Sequence, residues 1–317
     1  MGKPLGILVA VALAFALAAC GSDDPATSSR PTGGGATAST GAAAFPITVT
    51  GTNGDVTIDA RPERIVSLSP TATEDLFAIG AGDQVIAADD QSNYPAEAPT
   101  TDLSGFEPNV EAIAGYEPDL VVYATEPGDL GSSLEDLGIT ALQLDAAPTL
   151  DVAYDQIDQL GAATGHTDEA AALVEQMRSD IQALVDGADP AAGTSFYYEL
   201  DDTFYSVTSK TFIGKLFTML GLENIADAVG KGSGGYPQLS AEYIIDSDPD
   251  LIFLADTKCC DQSAETVAER PGWAGLAAVT GGGIVPLDDD VAQRWGPRVV
   301  DLLQQISDAA AAEASAA

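Results

Sequence analysis

Two adjacent cysteines, Cys259 and Cys260, are the side chains of this sequence with the most evident capacity for chemistry. In an oxidising compartment, adjacent thiols can close a vicinal disulfide, which is a tight and strained ring within a turn. A metal site would need further ligands, and no second cysteine pair at a Cys-x-x-Cys spacing accompanies these two. We therefore expect either a vicinal disulfide or two free thiols, and no metal site.

The sequence lacks the common catalytic motifs. It contains no Gly-x-Ser-x-Gly elbow and no His-Glu-x-x-His pair, and Gly230-Lys231-Gly232 lacks the other residues of a phosphate-binding loop. The single histidine, His166, lies in a break between two helical segments, where a surface or capping role is expected. The sequence thus predicts no catalytic residue, no enzymatic activity and no resident cofactor.

Two glutamates, Glu111 and Glu242, occupy matching positions in an internal repeat. The segments 109–121 (NVEAIAGYEPDLV) and 240–252 (SAEYIIDSDPDLI) align at a constant offset. In each copy a short predicted helix ends before a proline that leads into an apolar strand, because residues before proline disfavour helix. The repeat predicts two related lobes around one cleft, although helix-Pro-Asp-strand junctions also arise by chance.

An alternation of predicted strands and helices carries these residues. The predicted strands are 65–68, 85–88, 120–124, 139–144, 196–200, 251–254 and 284–287, and the predicted helices are 71–79, 109–116, 130–137, 152–185, 212–220, 241–246, 264–269 and 297–312. Such alternation is typical of right-handed βαβ units in a parallel sheet. The expected fold is α/β, with two Rossmann-like βα lobes (residues 45–150 and 188–317) joined by a single long interlobe helix (residues 151–187).

The first 44 residues are predicted to lie outside this fold. An apolar run of signal-peptide length ends in Leu17-Ala18-Ala19-Cys20-Gly21, which resembles the lipobox of bacterial lipoproteins. We predict a signal peptide over residues 1–20, lipidation of Cys20 that anchors the protein to the outside of the cell membrane, and a flexible Gly/Ser/Thr-rich tether over residues 21–44. An ordinary cleaved signal peptide with a chance cysteine is the alternative.

The charge balance excludes one class of partner. The chain has 49 Asp and Glu against 12 Lys and Arg, a formal net charge of −37. Binding to nucleic acid depends on clustered basic side chains that contact phosphates. No nucleic-acid partner is therefore expected, and most of the acidic residues are expected on a solvated surface.

Several short motifs, taken in order, resemble the solute-binding proteins for vitamin B12 and ferric siderophores. They are Arg61-Pro-Glu-Arg-Ile-Val-Ser-Leu-Ser-Pro-Thr-Ala-Thr-Glu, Ser92-Asn-Tyr-Pro, Asn109-Val-Glu, Pro118-Asp-Leu-Val-Val, Gly235-Tyr-Pro-Gln-Leu-Ser-Ala-Glu, Pro249-Asp-Leu-Ile and Pro297-Arg. Their order and spacing carry the resemblance over most of residues 61–306. It implies an extracytoplasmic, monomeric binding protein of an ABC importer, whose two lobes hold a flat metal chelate in the cleft between them.

The resemblance also implies ligand-binding residues. Tyr94 matches a cleft tyrosine of B12 binders, and Tyr236 stands where those proteins have a cleft tryptophan. A second tryptophan position falls on Gly105 or Phe106, which is a departure from the B12 binders. Core or surface positions are the alternative for these aromatic residues. Arg294 and Trp295 are further candidates because they lie in the loop before the last predicted helix, so the expected ligand-binding residues are Tyr94, Phe106, Tyr236, Arg294 and Trp295.

The resemblance further implies a docking contact. In the family, one glutamate on each lobe meets arginines of the membrane permease, which works with its ATPase, and Glu111 and Glu242 match these positions. The alternative is that both are ordinary carboxylates in the first turn of a helix, where the helix dipole favours negative charge.

Few basic residues are available to neutralise an anionic chelate. The plausible ones are Lys210, Lys215, Arg294 and Arg298. A neutral corrinoid or a near-neutral ferric hydroxamate is therefore expected in preference to a triply anionic catecholate. Haem, with Tyr94 or Tyr236 as the iron ligand, is an alternative within the same fold. An exported α/β enzyme acting on metal chelates and a cell-surface adhesion module are alternatives of other classes.

Overall fold

The computed structural model describes residues 45–188 and 193–316. The predicted signal peptide, the predicted tether and the lipidation site Cys20 lie outside these ranges. Among the helices within them, none is both long enough and apolar enough to cross a membrane.

The N-terminal lobe is built on a five-stranded parallel sheet. It follows an antiparallel hairpin of β1 (Ile47–Gly51) and β2 (Gly54–Ile58). The elements of the lobe are β3 (Ile65–Leu68), α1 (Pro70–Ala78), β4 (Val85–Asp89), β5 (Thr100–Leu103), α2 (Val110–Ala114), β6 (Leu120–Tyr123), α3 (Leu130–Asp136) and β7 (Ala141–Gln143). Their spatial order is β5-β4-β3-β6-β7. Every residue of β3 and β6 is buried, as expected for central parallel strands covered by helices on both faces.

Two helices follow the first sheet. They are α4 (Leu150–Thr164) and α5 (Thr167–Gly187), and α4 ends at Gly165, whose φ of 78° is the left-handed conformation that favours glycine. Helix α4 packs against α1 and β1. The expected interlobe helix is α5, so the predicted segment 151–187 divides at Gly165 into a helix of the first lobe and the connection to the second.

The C-terminal lobe contains a four-stranded parallel sheet in the spatial order β11-β10-β8-β9. Its elements are β8 (Ser195–Glu199), α6 (Phe212–Met219), β9 (Glu223–Asn224), α7 (Ala241–Ser247), β10 (Leu251–Leu254), α8 (Ala264–Ala268), α9 (Ala277–Gly281), β11 (Ile284–Pro286), α10 (Asp289–Ala292) and α11 (Val299–Ala316). Helix α11 packs against α5 and α6. The architecture is the two-lobed α/β fold that the sequence predicts.

The repeat in the sequence corresponds to a repeat in the structure. The order β4-β3-β6-β7 of the first sheet matches β9-β8-β10-β11 of the second. Asp119 accepts two backbone N–H groups just ahead of β3, at 2.8 and 3.0 Å, and its equivalent Asp250 accepts the N–H of Ser195 at the start of β8, at 2.7 Å. The residues before the two prolines, Glu117 and Asp248, both have positive φ, 50° and 43°. Equivalent aspartates thus fix the first strand of each parallel sheet.

One buried apolar cluster is continuous between the lobes. It includes Leu76 of α1, Leu160 of α4, Met177 of α5, Phe217 of α6 and Leu303 of α11. Two smaller clusters cover the other face of each sheet. Because apolar interiors are packed as densely as crystals, the shared cluster resists large rotations of one lobe against the other.

Candidate ligand-binding cleft

A cavity of about 900 Å³ lies between the two lobes. Its walls come from residues at or just after the carboxyl ends of strands: Leu68 of β3, Asp89 of β4, Ala124 after β6, Lys258 after β10 and Asp289 after β11. This is where open α/β sheets bind ligands, and the volume falls within the usual range for small-molecule sites. The cavity is therefore the candidate functional site.

Three of the five expected ligand-binding residues line this cavity. Phe106 projects from the N-terminal lobe with 70% of its surface exposed, which leaves its ring free to pack against a ligand. Trp295 comes from the other side, and its Nε1 donates to Oε1 of Gln156 on α4 at 2.8 Å. Arg294 also lines the cavity, but its guanidinium binds other protein groups.

The two expected cleft tyrosines do not line the cavity. Tyr94 is 46% exposed, and the guanidinium of Arg298 lies over its ring, 4.2 Å from the centroid. Tyr236 is 51% exposed on the C-terminal lobe and follows a turn in which Gly234 and Gly235 both have positive φ. The structure thus brings Phe106, Arg294 and Trp295 together around the cavity, and neither tyrosine is among the residues that line it.

A network of five residues joins the lobes beside the cavity, and we call it the interlobe clamp: Glu74, Asn93, Asp290, Arg294 and Arg298. Nη1 of Arg294 donates to Oε1 of Glu74 at 2.7 Å, and Nε of Arg298 donates to Oε2 of the same carboxylate at 2.9 Å. Nδ2 of Asn93 donates to Oδ2 of Asp290 at 2.9 Å. Glu74 lies on α1 of the first lobe, while both arginines lie between α10 and α11. The charge of Arg294 is therefore already neutralised within the protein.

The clamp was not predicted from the sequence, although Glu74 and Arg298 both lie in motifs that carry the family resemblance. Glu74 is the last residue of the long motif at the start of the first lobe, and Arg298 is the second residue of Pro297-Arg298. Nothing in the sequence pairs residues more than 200 positions apart, and only the fold brings them together.

Both basic side chains of the cavity wall are paired with acidic side chains of the protein. The wall's other cation, Lys258, forms ion pairs at 2.7 Å with both Asp288 and Asp290. Three acids, Asp89, Asp289 and Asp290, line the same cavity, and burial raises the pKa of Asp89. Among the described residues that line the cavity, no basic side chain is left without an acidic partner. An anionic ligand would have to displace one of these ion pairs.

The other expected bases lie elsewhere. Nζ of Lys215 donates to the carbonyl of Pro148 at 2.8 Å in a groove on the outer surface, and Lys210 is exposed and does not line the cavity. Neither contributes to the charge of the cleft wall.

The loop after β10, residues 256–262, carries the adjacent cysteines, and we call it the dithiol loop. Both cysteines are free thiols, one of the two expected states, and Cys259 lines the cavity. The carboxylate of Asp289 holds the loop, accepting the backbone N–H groups of Thr257, Lys258 and Cys259 at 2.8, 2.9 and 2.9 Å. One buried carboxylate thus fixes this part of the wall.

Behind the dithiol loop lies a buried cluster of charged groups. Arg270 forms a bidentate pair with Glu199 at 2.7 and 2.6 Å, and Glu199 is fully buried. Asp256 is also fully buried; neither of its oxygens accepts a hydrogen bond from an N–H or O–H group, but its carboxyl lies within hydrogen-bonding reach of the Glu199 carboxylate. Burial, and then the negative charge of Glu199, raise the pKa of Asp256 to about 8. Asp256 therefore keeps its proton at neutral pH.

Within the described residues, no group of three or more His, Cys, Asp or Glu side chains is arranged to hold a metal ion.

The two repeat glutamates are exposed, one on each lobe. Glu111 lies in the first turn of α2, which Asn109 caps by accepting the N–H of Ala112 at 3.0 Å. Glu242 lies in the first turn of α7, where Ser240 is the capping residue. Neither carboxylate forms an ion pair with another described residue, so both are available to an external partner.

Comparison with known proteins gives consistent matches. A family model described as periplasmic binding protein matches residues 65–291. A cobalamin-binding protein of Halobacterium salinarum is 32% identical over 279 residues, covering 84% of this chain and 75% of that protein. An uncharacterized ABC transporter substrate-binding lipoprotein of Bacillus subtilis is 29% identical over 320 residues, covering 97% of each. Among solved structures, a periplasmic heme-binding protein from Roseiflexus sp. RS-1 superimposes with a TM-score of 0.69 at 26% identity, covering 80% of this chain and 98% of that one.

Proposed function

This chain belongs to the periplasmic binding protein family, and we propose that it captures an uncharged metal chelate of the corrinoid class outside the cytoplasm for an ABC importer. The observation that carries the proposal is the interlobe cavity of about 900 Å³, whose two cations are both paired with acids of the protein itself. The function is equilibrium binding and release without catalysis. The metal arrives inside the ligand, and the protein needs no resident cofactor.

The charge of the cavity wall supports a corrinoid over an anionic ligand. A corrinoid presents a broad apolar face and a rim of neutral amides. Phe106 and Trp295 offer aromatic surface to the face, while Oδ1 of Asp290, which accepts one hydrogen bond from Arg294, can also accept an amide N–H group. Hydrogen bonds between an amide and a carboxylate are stronger than those between neutral groups. The relative in Halobacterium, named as a cobalamin-binding protein, supports the same ligand class.

Haem is the second candidate, because a similar solved structure is named as a heme-binding protein. Two observations count against haem here. Tyr94 and Tyr236, the iron ligands considered from the sequence, do not line the cavity. Haem also carries two carboxylates, and the cavity wall offers them no cation that is free of an acidic partner. A near-neutral ferric hydroxamate meets the charge requirement as well as a corrinoid does.

Delivery follows from the exposed glutamates. We infer that Glu111 and Glu242 dock the monomeric binding protein onto basic residues of the permease, which its ATPase drives. Lipidation of Cys20 would keep the protein at the outer face of the cell membrane. Cys20→Ser should therefore release the protein into the soluble fraction, as fractionation and immunoblotting would record. Retention of the variant in the membrane fraction would contradict the anchor.

The ligand is tested by a thermal-shift panel. The purified protein is melted with cyanocobalamin, cobinamide, haemin, a neutral ferric hydroxamate and an anionic ferric catecholate. A ligand at 100 times its dissociation constant stabilises the folded state by about 2.7 kcal/mol. We expect the corrinoids to raise the melting temperature and haemin and the catecholate to leave it unchanged. A shift with haemin or catecholate alone would refute the assignment.

A further inference from the structure

We propose that Cys259 and Cys260 are a redox-active pair whose oxidation to a vicinal disulfide weakens ligand binding in the cleft. The effect on affinity rests on the proposed binding function, whereas the formation of the bond does not. Both thiols are free, Cys259 is exposed on the cavity wall, and Cys260 follows it directly.

The location of the protein favours oxidation. Disulfides form and persist outside the cytoplasm, where the family operates. A pair that is accessible and strained when bonded has a relatively high reduction potential, and such disulfides are the labile and regulatory ones. A vicinal pair meets both conditions, because Cα atoms of neighbouring residues are about 3.8 Å apart across a trans peptide while disulfides usually join Cα atoms about 4.4–6.8 Å apart.

Closing the ring must therefore turn the peptide between Cys259 and Cys260. The N–H of that peptide belongs to Cys260 and donates to the carbonyl of Asp256 at 3.2 Å. The preceding N–H, of Cys259, donates to Oδ2 of Asp289 at 2.9 Å. Turning the peptide breaks the first of these hydrogen bonds and strains the second, so the dithiol loop loosens from its anchor.

The carboxylate that anchors the dithiol loop also belongs to the cavity wall. Asp289 lines the cavity and also holds the N–H groups of Thr257 and Lys258. The ammonium of Lys258 pairs with Asp290, which belongs to the interlobe clamp. Oxidation at one end of the loop thus displaces groups that line the cavity and that hold the lobes together. The dithiol state, in which these contacts are formed, is the high-affinity state.

The reaction is thiol–disulfide exchange. A low-molecular-weight disulfide such as oxidised glutathione accepts the two electrons. One thiolate of the protein attacks it and releases one glutathione thiol, and the second cysteine then attacks the mixed disulfide and releases the other. Two protons leave the cysteines and two thiols appear in solution. Cys259 is the more exposed of the two thiols, so we assign the first attack to Cys259.

The test uses the full chain carrying Cys20→Ser, so that the pair provides the only cysteines. The protein is equilibrated in oxidised glutathione or in dithiothreitol. Mass spectrometry then follows the loss of two hydrogen atoms from the peptide that contains both cysteines, and titration with cyanocobalamin gives the dissociation constant. We expect the bond to form, the dissociation constant to rise about tenfold on losing one or two hydrogen bonds, and dithiothreitol to reverse both changes.

Two further measurements separate the outcomes. The double variant Cys259→Ser/Cys260→Ser has no thiol to oxidise or to form a mixed disulfide, so its affinity should be the same in both conditions. Amide hydrogen exchange at residues 257–260 should become faster on oxidation of the parent protein, whatever the ligand. The proposal would be overturned if the disulfide did not form. It would also be overturned if the disulfide formed and the dissociation constant for cyanocobalamin did not change. If cyanocobalamin binds in neither state while the bond forms and exchange changes, the proposed function fails and the redox switch stands.

Discussion

Replacing Glu74 with glutamine should weaken the whole molecule far more than its place on a short helix suggests. Its side chain is 1% exposed and accepts hydrogen bonds from both Arg294 and Arg298, which come from the other lobe. Glutamine keeps the shape but removes the charge, and its NH₂ group cannot accept a hydrogen bond from a guanidinium. The variant would leave the largely buried Arg298 without its counter-ion and Arg294 with Asp290 alone, at 3.1 Å.

The expected cost follows from that burial. Removing one partner of a buried ion pair costs about 3–5 kcal/mol, because the remaining charge stays desolvated. For a protein of this size, each kcal/mol lowers the melting temperature by about 2–4 °C. We therefore expect the melting temperature of Glu74→Gln to fall by at least about 6 °C. Affinity for cyanocobalamin should fall as well, since the cleft is no longer held in shape.

The matched control is Glu111→Gln. It makes the same chemical change in the first turn of a helix in the same lobe, but at an exposed site without an ion pair. Surface substitutions of this kind usually change stability by less than about 0.5 kcal/mol. Urea denaturation followed by circular dichroism gives the free energy of unfolding of both variants. Equal stability of the two would show that the clamp does not hold the lobes, and the reasoning from burial would be wrong.

Three further predictions concern the cleft, the buried carboxyl and docking. Phe106→Ala should weaken binding of cyanocobalamin by about 1–3 kcal/mol in calorimetry. Tyr236→Ala, which changes a residue that does not line the cavity, should leave binding unchanged. A loss of binding with Tyr236→Ala and none with Phe106→Ala would place Tyr236 in the site. Folding raises the pKa of Asp256 to about 8, so the folded state holds a proton that the unfolded state loses above about pH 4. The free energy of unfolding should therefore fall as the pH rises from about 4 to 8. Asp256→Asn should flatten this dependence in urea titrations, and an unchanged slope would contradict the buried proton. Reversing Glu111 and Glu242 to lysine should abolish uptake while the isolated protein keeps its affinity for cyanocobalamin, and normal uptake would remove the docking role.

The sequence predicts strands and helices best where a short segment contains both the apolar pattern and the turn residues that bound it. Runs such as Ile65–Leu68 and Leu251–Leu254 are apolar and lie between turn residues, and both are buried strands. The hairpin of β1 and β2 was missed although Asn53-Gly54 is a strong turn signal between alternating residues. Segments as short as α10 and β9 show no period that could be recognised.

The expected ligand-binding residues differ in where the structure places them. Phe106 and Trp295 line the candidate cavity, whereas Tyr94 and Tyr236 are not among its lining residues. A resemblance carries residue identity from one protein to another, but the direction of a loop side chain depends on local backbone, such as the positive φ of Gly235 before Tyr236. Ion pairs such as that between Glu74 and Arg294 depend on tertiary structure alone, and no local pattern reports them.

The interlobe clamp also has a consequence for traffic at the membrane. Because the clamp consists of the protein's own side chains, it would hold the lobes, and with them Glu111 and Glu242, in one arrangement with or without a ligand. Under the proposed docking mode, empty and loaded copies then compete for the same transporters. Uptake should therefore depend on the ratio of binding protein to ligand, and an excess of binding protein over scarce ligand should slow import by occupying permeases with empty copies.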